Sequence, residues 1–392
     1  MRLCVVSFKQ CWQDPAGRWH SYGGFPAQMD ALRTLCDEMT IVIVRSFARA
    51  GGMPLPADAR VVALRSPTGI DFRRKLSVAA HLPYYLGRIA REVRSADVVH
   101  TPVPGDLPYL GLVLAVLQRK PLFALYNGSW VPNSETTVMN RITRQTMRWL
   151  ARGRNVMLAV GDGDRPPAPG MEWLFATSLT RGEIAATPVH ETRALSEPPR
   201  FIYAGRLSSE KGLPVLLEAL EILQREGLMP FPLVTLAGDG PARPEIEALV
   251  RRLGIGATVR FAGQLDRAAL AREFQAADVC IHPSHTEGYC KAWLDAMAQG
   301  LPVLTTEVGA ARGVVGSAGE RGWLVPPGDP RALAAGIRRV VTEPADWPML
   351  RRRCREYAAS RTLEAWAEQI GRTCARRWHS TAAEGVLQPW PR

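Results

Sequence analysis

Lysine is scarce in this chain of 392 residues: only five of its 49 cationic residues are lysines (9, 75, 120, 211 and 291). The rest are arginines, a bias that points to a GC-rich, bacterial-type coding sequence. No basic stretch is interleaved with aromatics as a nucleic-acid groove would be, so no nucleic-acid partner is expected. Long apolar runs are also missing. The longest, about Leu107–Leu117, holds Pro108 and Tyr109 and ends at Gln118 and Arg119, short of the roughly 18 residues of a membrane span. The opening Met1-Arg-Leu-Cys-Val-Val-Ser-Phe reads as a strand without the apolar stretch of a signal peptide, and a cytoplasmic protein is expected. The seven cysteines are odd in number and include no C-x-x-C pair, which argues against a disulfide framework and a zinc site. They read as small core residues. Cys290 has no evident histidine partner and is not read as a nucleophile. The net charge of +12 favours anionic partners such as nucleotides, phospholipid heads or polyanionic glycans.

What is present is an ordinary globular composition, 46% hydrophobic and 22% charged, long enough for two domains or three. Strands are expected at Leu3–Phe8, Thr40–Val44, Val61–Leu64, Val98–His100, Leu122–Tyr126 and Asn155–Val160, alternating with helical stretches. Proline-rich breaks follow at Arg165-Pro-Pro-Ala-Pro-Gly170 and Glu197-Pro-Pro-Arg200, with the connection between domains near residues 180–200. From Phe201 the alternation restarts. Strands are expected at Phe201–Ala204, Leu233–Ala237, Val259–Phe261, Val279–Ile281, Pro302–Thr305 and Trp323–Val325. Such alternation predicts two doubly wound α/β domains, which bind ligands beyond the carboxyl ends of their strands. Domains are expected over 1–185 and 198–358. A final helix over about Leu363–Trp378, within 359–380, carries one apolar stripe.

Two motifs carry the chemistry. Gly205-Arg206-Leu-Ser-Ser-Glu-Lys211-Gly212 follows a strand and opens a helix. Gly205 allows close backbone approach, and two cations at a strand end suit a leaving diphosphate. Further on, Asp278–Thr306 reads as strand, glycine-containing loop, helix, strand. Glu287 stands just before the helix and Asp295 eight positions on; the helix start between them offers free N–H groups to an anion. The plain alternatives are solvated cations at a turn and carboxylates favoured by the helix dipole.

Together these stretches resemble the G-R-L-x-x-x-K-G and E-x7-E motifs of retaining glycosyltransferases of family four, with Asp295 in place of the second Glu. Gly238 in Leu236-Ala-Gly-Asp-Gly-Pro241 and Gly263 in Phe261-Ala-Gly263 resemble further landmarks of that family, in order across about Phe201–Ile337. The resemblance implies the GT-B fold: two Rossmann-like domains facing across a cleft, with the terminal helix crossing back to the first. It implies a nucleotide-diphosphate-sugar donor held without metal or cofactor. Arg206 and Lys211 would contact the phosphates, Glu287 would lie near the donor sugar, and Gly288 and Tyr289 would belong to the same donor-binding stretch. Backbone N–H groups of Cys290, Lys291 and Ala292 would hold phosphate, and Asp295 the ribose.

In the first domain, Tyr22-Gly23-Gly24-Phe25 precedes a helix and resembles the family's glycine-rich loop; a plain turn accounts for it equally. Where the family often carries a strand-end His, this chain has Asn127, which cannot take a proton at neutral pH. His100, at the end of another strand, is a candidate to contribute. Asp162-Gly-Asp164 matches a metal-binding D-x-D tripeptide but reads as a turn. Arg141, Arg144, Arg148 and Arg152 recur along one helical face, and Arg73-Arg74-Lys75 precedes a segment that Pro83 divides. These patches suggest peripheral contact with an anionic membrane, at the inner face of the cell membrane, or a merely solvated face.

The expectation is a retaining glycosyltransferase that moves a hexose-type sugar to a hydroxyl of a glycan or glycolipid in polysaccharide assembly. The alternatives are a catalytically impaired nucleotide-sugar-binding module of the same fold, motivated by Asn127 and Asp295, and a GT-B-like epimerase.

Overall fold

The computed structural model describes residues 1–46, 52–68, 71–130, 132, 136–163, 165–188, 193–317 and 319–378, without the side chains of 71, 72, 74 and 75. The chain divides into two compact units. The first comprises Met1–Val160, Asp164–Ser178 and the segment from Leu363; the second comprises Gly161–Gly163 and Leu179–Thr362.

Among the described residues the first unit has nine strands: β1 (Arg2–Gln13), β2 (Trp19–Ser21), β3 (Glu38–Arg45), β4 (Met53–Pro54), β5 (Arg60–Leu64), β6 (Val98–Val103), β7 (Leu122–Tyr126), β8 (Val156–Val160) and β9 (Met171–Leu174). Strands β5, β3, β1, β6, β7, β8 and β9 lie side by side and parallel. The first strand, expected over Leu3–Phe8, runs on to Gln13 although Phe8, Lys9 and Gln10 face solvent. A register shift between Val6 and Gln10 resets the alternation, as a bulge does. Cys11 and Trp12 turn inward, and β1 pairs antiparallel with β2. Helices α1 (Phe25–Arg33), α2 (Asp71–Ala80), α3 (Leu82–Ser95), α4 (Asp106–Leu117) and α5 (Val138–Leu150) connect the strands. α2 and α3 are separate, as Pro83 requires. His100 sits in the interior of β6, which continues to Val103.

The second unit carries α6 (Arg181–Ala186) and then a restarted alternation: β10 (Arg200–Ala204), α7 (Leu213–Arg225), β11 (Leu233–Ala237), α8 (Arg243–Arg252), β12 (Val259–Gly263), α9 (Arg267–Ala276), β13 (Val279–His282), α10 (Lys291–Ala298), β14 (Val303–Thr306), α11 (Ala311–Val315), β15 (Gly322–Val325), α12 (Pro330–Thr342) and α13 (Trp347–Ala359). Its sheet is wholly parallel in the order β12-β11-β10-β13-β14-β15. The chain winds outward in both directions from the β10/β13 neighbours, so the gap beyond their carboxyl ends is a topological switch point. Strand sequences such as Phe201-Ile-Tyr-Ala204 are buried on both faces, as parallel strands covered by helices must be. Helices α9 and α12 start at side-chain caps. Asp329 accepts from the N–H groups of Arg331 and Ala332 at α12, and Asp266 from Ala269 at α9.

The last helix, α14 (Leu363–Trp378), belongs to the first unit. Leu363, Trp366, Ile370, Cys374 and Trp378 are all buried. Thr373 bonds to Glu172 at 3.0 Å, and the Trp378 indole N–H to the Arg154 carbonyl at 2.9 Å. No described helix is long and apolar enough to cross a membrane.

Candidate active site

Three strand ends of the second unit are stitched together by glycine. The Gly205 N–H donates to the Ala237 carbonyl at 2.9 Å and the Gly238 N–H to the Gly263 carbonyl at 2.8 Å. Gly238 has φ +141°, and a Cβ there would lie 1.9 Å from the Gly205 carbonyl oxygen; no side chain fits. This bare edge floors a cavity of about 520 Å³. Gly205, Arg206, Gly238, Ala292 and Asp295, read from sequence as donor contacts, all line it. Arg206 is exposed and makes no ion pair among the described residues.

Lys211 and Glu287, 76 positions apart in sequence, meet beside this edge. Lys211 Nζ lies 2.6 Å from Glu287 Oε1, and the Ser284 hydroxyl donates to the same oxygen at 3.0 Å. Burial draws the Lys211 ammonium down, but the charge and hydrogen bond of Glu287 outweigh it and the net direction is up. The two loops are also joined by backbone. His285 N–H donates to the Glu210 carbonyl at 2.9 Å, and Gly212, at φ +64°, passes so close that a Cβ would lie 2.1 Å from the Pro283 carbonyl oxygen.

Helix α10 starts just after this junction. Cys290 is its N-cap, and the N–H groups of Lys291 and Ala292 lie in its first turn, where no helical carbonyl reaches them. Gly288 is held by its carbonyl, which accepts from Ala310 N–H at 3.0 Å; Tyr289 is 8% exposed. Asp295 faces the cavity with no hydrogen-bond partner among the described residues. Burial pushes its carboxyl up to about 6, offset in part by Arg267 and Lys291.

The sequence showed no histidine partner for Cys290, and here the structure corrects it: Cys290 Sγ lies 3.6 Å from His282 Nδ1. Burial pushes the thiol up and lowers the imidazole to about 3, so both are neutral and no thiolate nucleophile forms. His282, Glu287 and Cys290 bring potential metal-ligand atoms within 4.8 Å of one another. With Lys211 already on the carboxylate, that trio is a paired anion beside two neutral groups.

The first unit answers the expectations differently. Asn127 is exposed just past β7, its N–H bonded to the Val103 carbonyl at 2.7 Å. Gly23 (φ +65°) and Gly24, the N-cap of α1, sit between β2 and that helix. The expected strand-end place of His100 is corrected. It is 1% exposed, stacked on Phe123 at 4.3 Å and bonded to the Phe123 carbonyl at 3.1 Å. Burial lowers it to about 4, so it is a neutral core residue. Asp162 accepts from the Tyr357 hydroxyl at 3.3 Å, while Asp164 lies outside the described residues. The arginine face is corrected too: Arg144 is 4% exposed and donates to the Trp130 carbonyl at 2.8 Å. Arg74 and Lys75 have no described side chains.

Sequence reading missed Gln264, Leu265 and Leu270, which close the cavity from the β12–α9 loop and α9. It also missed Ser284, which positions Glu287. The one available signal was location, since each follows a strand already placed at the ligand edge.

With this geometry in hand, the comparisons are specific. Residues 189–361, a little under half of the chain, match the family model "Glycosyl transferases group 1". The glycogen synthase of Mycobacterium tuberculosis is 31% identical over 210 residues, 54% of this chain and 49% of that protein. The chain thus spans about half the length of that relative. Two solved structures align almost throughout. Sucrose-phosphate synthase from Thermosynechococcus elongatus has a TM-score of 0.71 at 22% identity, covering 97% of this chain and 100% of that one. Alr3699/HepE of Anabaena, in complex with UDP and glucose, has a TM-score of 0.69 at 17% identity, covering 96% and 100%. At such identities the likeness defines the fold, and it is GT-B: two Rossmann-like α/β units.

Proposed function

We propose that the chain is a retaining glycosyltransferase. It takes a sugar from a nucleotide-diphosphate donor, without a metal, and transfers it to a hydroxyl of a glycan or glycolipid. The observation that carries this reading is the convergence at the switch point of the second unit, where Arg206, the α10 N-terminus and Asp295 border one cavity beside the Lys211–Glu287 pair. Cations and amide N–H groups at a strand edge complement a pyrophosphate and stabilise it as it leaves. Asp295, an acceptor without a partner, suits a ribose diol. Glu287, held by Lys211 and Ser284, suits the hydroxyls of the donor sugar. The acceptor oxygen bonds to the anomeric carbon as the bond from that carbon to the phosphate oxygen breaks. The acceptor's proton passes to the leaving diphosphate on the same face, a route that uses no histidine and therefore tolerates Asn127. The UDP in the Anabaena structure makes a uridine donor the first to try.

A second reading, donor binding without turnover, is motivated by Asn127 at the exposed end of β7. One experiment addresses both. Purified protein is offered UDP-, GDP- and ADP-sugars, and donor uptake and transfer are followed by mass spectrometry for the wild type and for Arg206→Ala/Lys211→Ala. The double variant should lose donor affinity by at least about 100-fold, from two charge-assisted contacts. Unchanged uptake of every sugar nucleotide would refute the site. Uptake by the wild type with no transfer to any acceptor would favour the second reading.

A further inference from the structure

Helix α5 carries the most water-exposed apolar stripe of the described chain that is also bordered by cations. Val138 is 70% exposed, Ile142 44% and Trp149 65%. At 100° per residue these three fall within about 40° of one another on the helix surface. Arg141 and Arg148 lie along one flank, and Arg152, just past the helix end, continues the row; all three are exposed. None has a carboxylate partner among the described residues, and α5 itself has no acidic residue. Its opposite side is fixed by burial of Thr143, Arg144, Met147 and Leu150. The outward face cannot roll inward without exposing Met147 and unbonding Arg144 from the Trp130 carbonyl.

An exposed tryptophan, isoleucine and valine in a row are unfavourable in water and need a cover. The row of arginines without a carboxylate partner among the described residues, of which Arg148 lies 5.5 Å from the Trp130 ring, says which. A second copy related by a two-fold axis would set arginine against arginine. Three apolar side chains on 13 residues also fall well short of the ~800 Å² per partner of a stable protein interface. An anionic bilayer meets both needs. Apolar side chains enter the headgroup–acyl boundary, tryptophan favours that depth, and arginines reach the lipid phosphates.

We propose that the outward face of α5 docks the protein on an anionic membrane, with Val138, Ile142 and Trp149 inserted and Arg141, Arg148 and Arg152 on the headgroups. The inference is independent of the transferase reading, and its test uses neither donor nor acceptor. The full chain is floated with phosphatidylcholine vesicles, with and without phosphatidylglycerol. Wild type should float with the anionic vesicles, and added salt should weaken it. Arg141→Gln/Arg148→Gln/Arg152→Gln should lower the partition coefficient about five-fold per arginine, on the order of 100-fold together. Ile142→Ser/Trp149→Ser should lower it at least about 10-fold with an unchanged melting temperature, because both side chains are exposed. Absence of wild-type flotation overturns the proposal. So does flotation that neither variant reduces, or gel filtration showing a wild-type dimer that Ile142→Ser/Trp149→Ser dissolves.

Discussion

The Lys211–Glu287 pair makes a quantitative claim that a double-mutant cycle can reach. Its side chains are 21% and 9% exposed, and the nitrogen–oxygen distance is 2.6 Å. Removing one partner from a fully buried pair costs about 3–5 kcal/mol, because the survivor is left charged and unpaired. Lys211 keeps some contact with water, so Glu287→Gln should cost about 2–3 kcal/mol. Lys211→Met should cost a similar amount, since Glu287 keeps only the Ser284 hydroxyl. Replacing both removes both charges and leaves neutral groups of similar volume, so the double variant should cost clearly less than the sum. A coupling of at least about 1.5 kcal/mol is expected. The chain has two units, and one overall melting temperature does not isolate the second. Hydrogen exchange of the β10 and β13 amides in the absence of donor reads the opening of the right sheet. Additivity within about 0.5 kcal/mol would refute the argument, because the two groups would then not be sharing a desolvated charge.

Two further substitutions follow from geometry. Gly238→Ala puts a Cβ 1.9 Å from the Gly205 carbonyl at a φ that favours glycine; it should destabilise the second unit by about 2 kcal/mol or more and abolish donor binding, as read by hydrogen exchange of the β10 and β11 amides and by binding calorimetry. Asp295→Asn tests the raised carboxyl: folding lifts it from 3.8 to about 6, so the native state binds the proton more tightly than the unfolded chain. Wild-type stability therefore falls as pH rises from about 4 through 6. The Asn variant should melt higher than wild type at pH 7–8, with the gap closing below pH 4. If Asp295 holds ribose, the variant should also bind donor about 10–100-fold more weakly, from loss of a charged acceptor.

The second unit was the more legible part of the sequence for a physical reason. Its central parallel strands are covered on both faces and read as short apolar runs, and two of the donor-site landmarks, Gly205 and Gly238, stand where such a run stops. Elements whose polar residues are buried were harder. Helix α13 turns Trp347, Leu350, Arg351, Cys354 and Ala358 inward. The Arg351 in that stripe, bonded to the Arg193 carbonyl, sits among further arginines that mask the period. In the same way His100 looked like the end of β6. The strand pairs with β1 as far as His100 and with β7 through Val103, and the imidazole is satisfied by a carbonyl that no local pattern reveals. The Cys290–His282 contact spans eight residues of irregular loop, a spacing without a period to read.

Helix α5 shows where period alone runs out. Its sequence has two apolar stripes, one through Met147 and Leu150 and another through Val138, Ile142 and Trp149, with the arginines between them on one side. Spacing fixes the angles among these residues but not the rotation of the helix against its sheet. Either stripe would serve as the core face, and the arginine row would look like a solvated edge in both cases. Tertiary packing selects Met147 and Leu150, and with them the boundary residue Arg144, whose guanidinium finds the Trp130 carbonyl. That choice turns the bulkier stripe outward. A fold that leaves its larger apolar stripe in water, beside cations without a carboxylate partner among the described residues, presents a surface its own core does not use. For that reason the flotation experiment, rather than any further reading of spacing, decides what α5 is for.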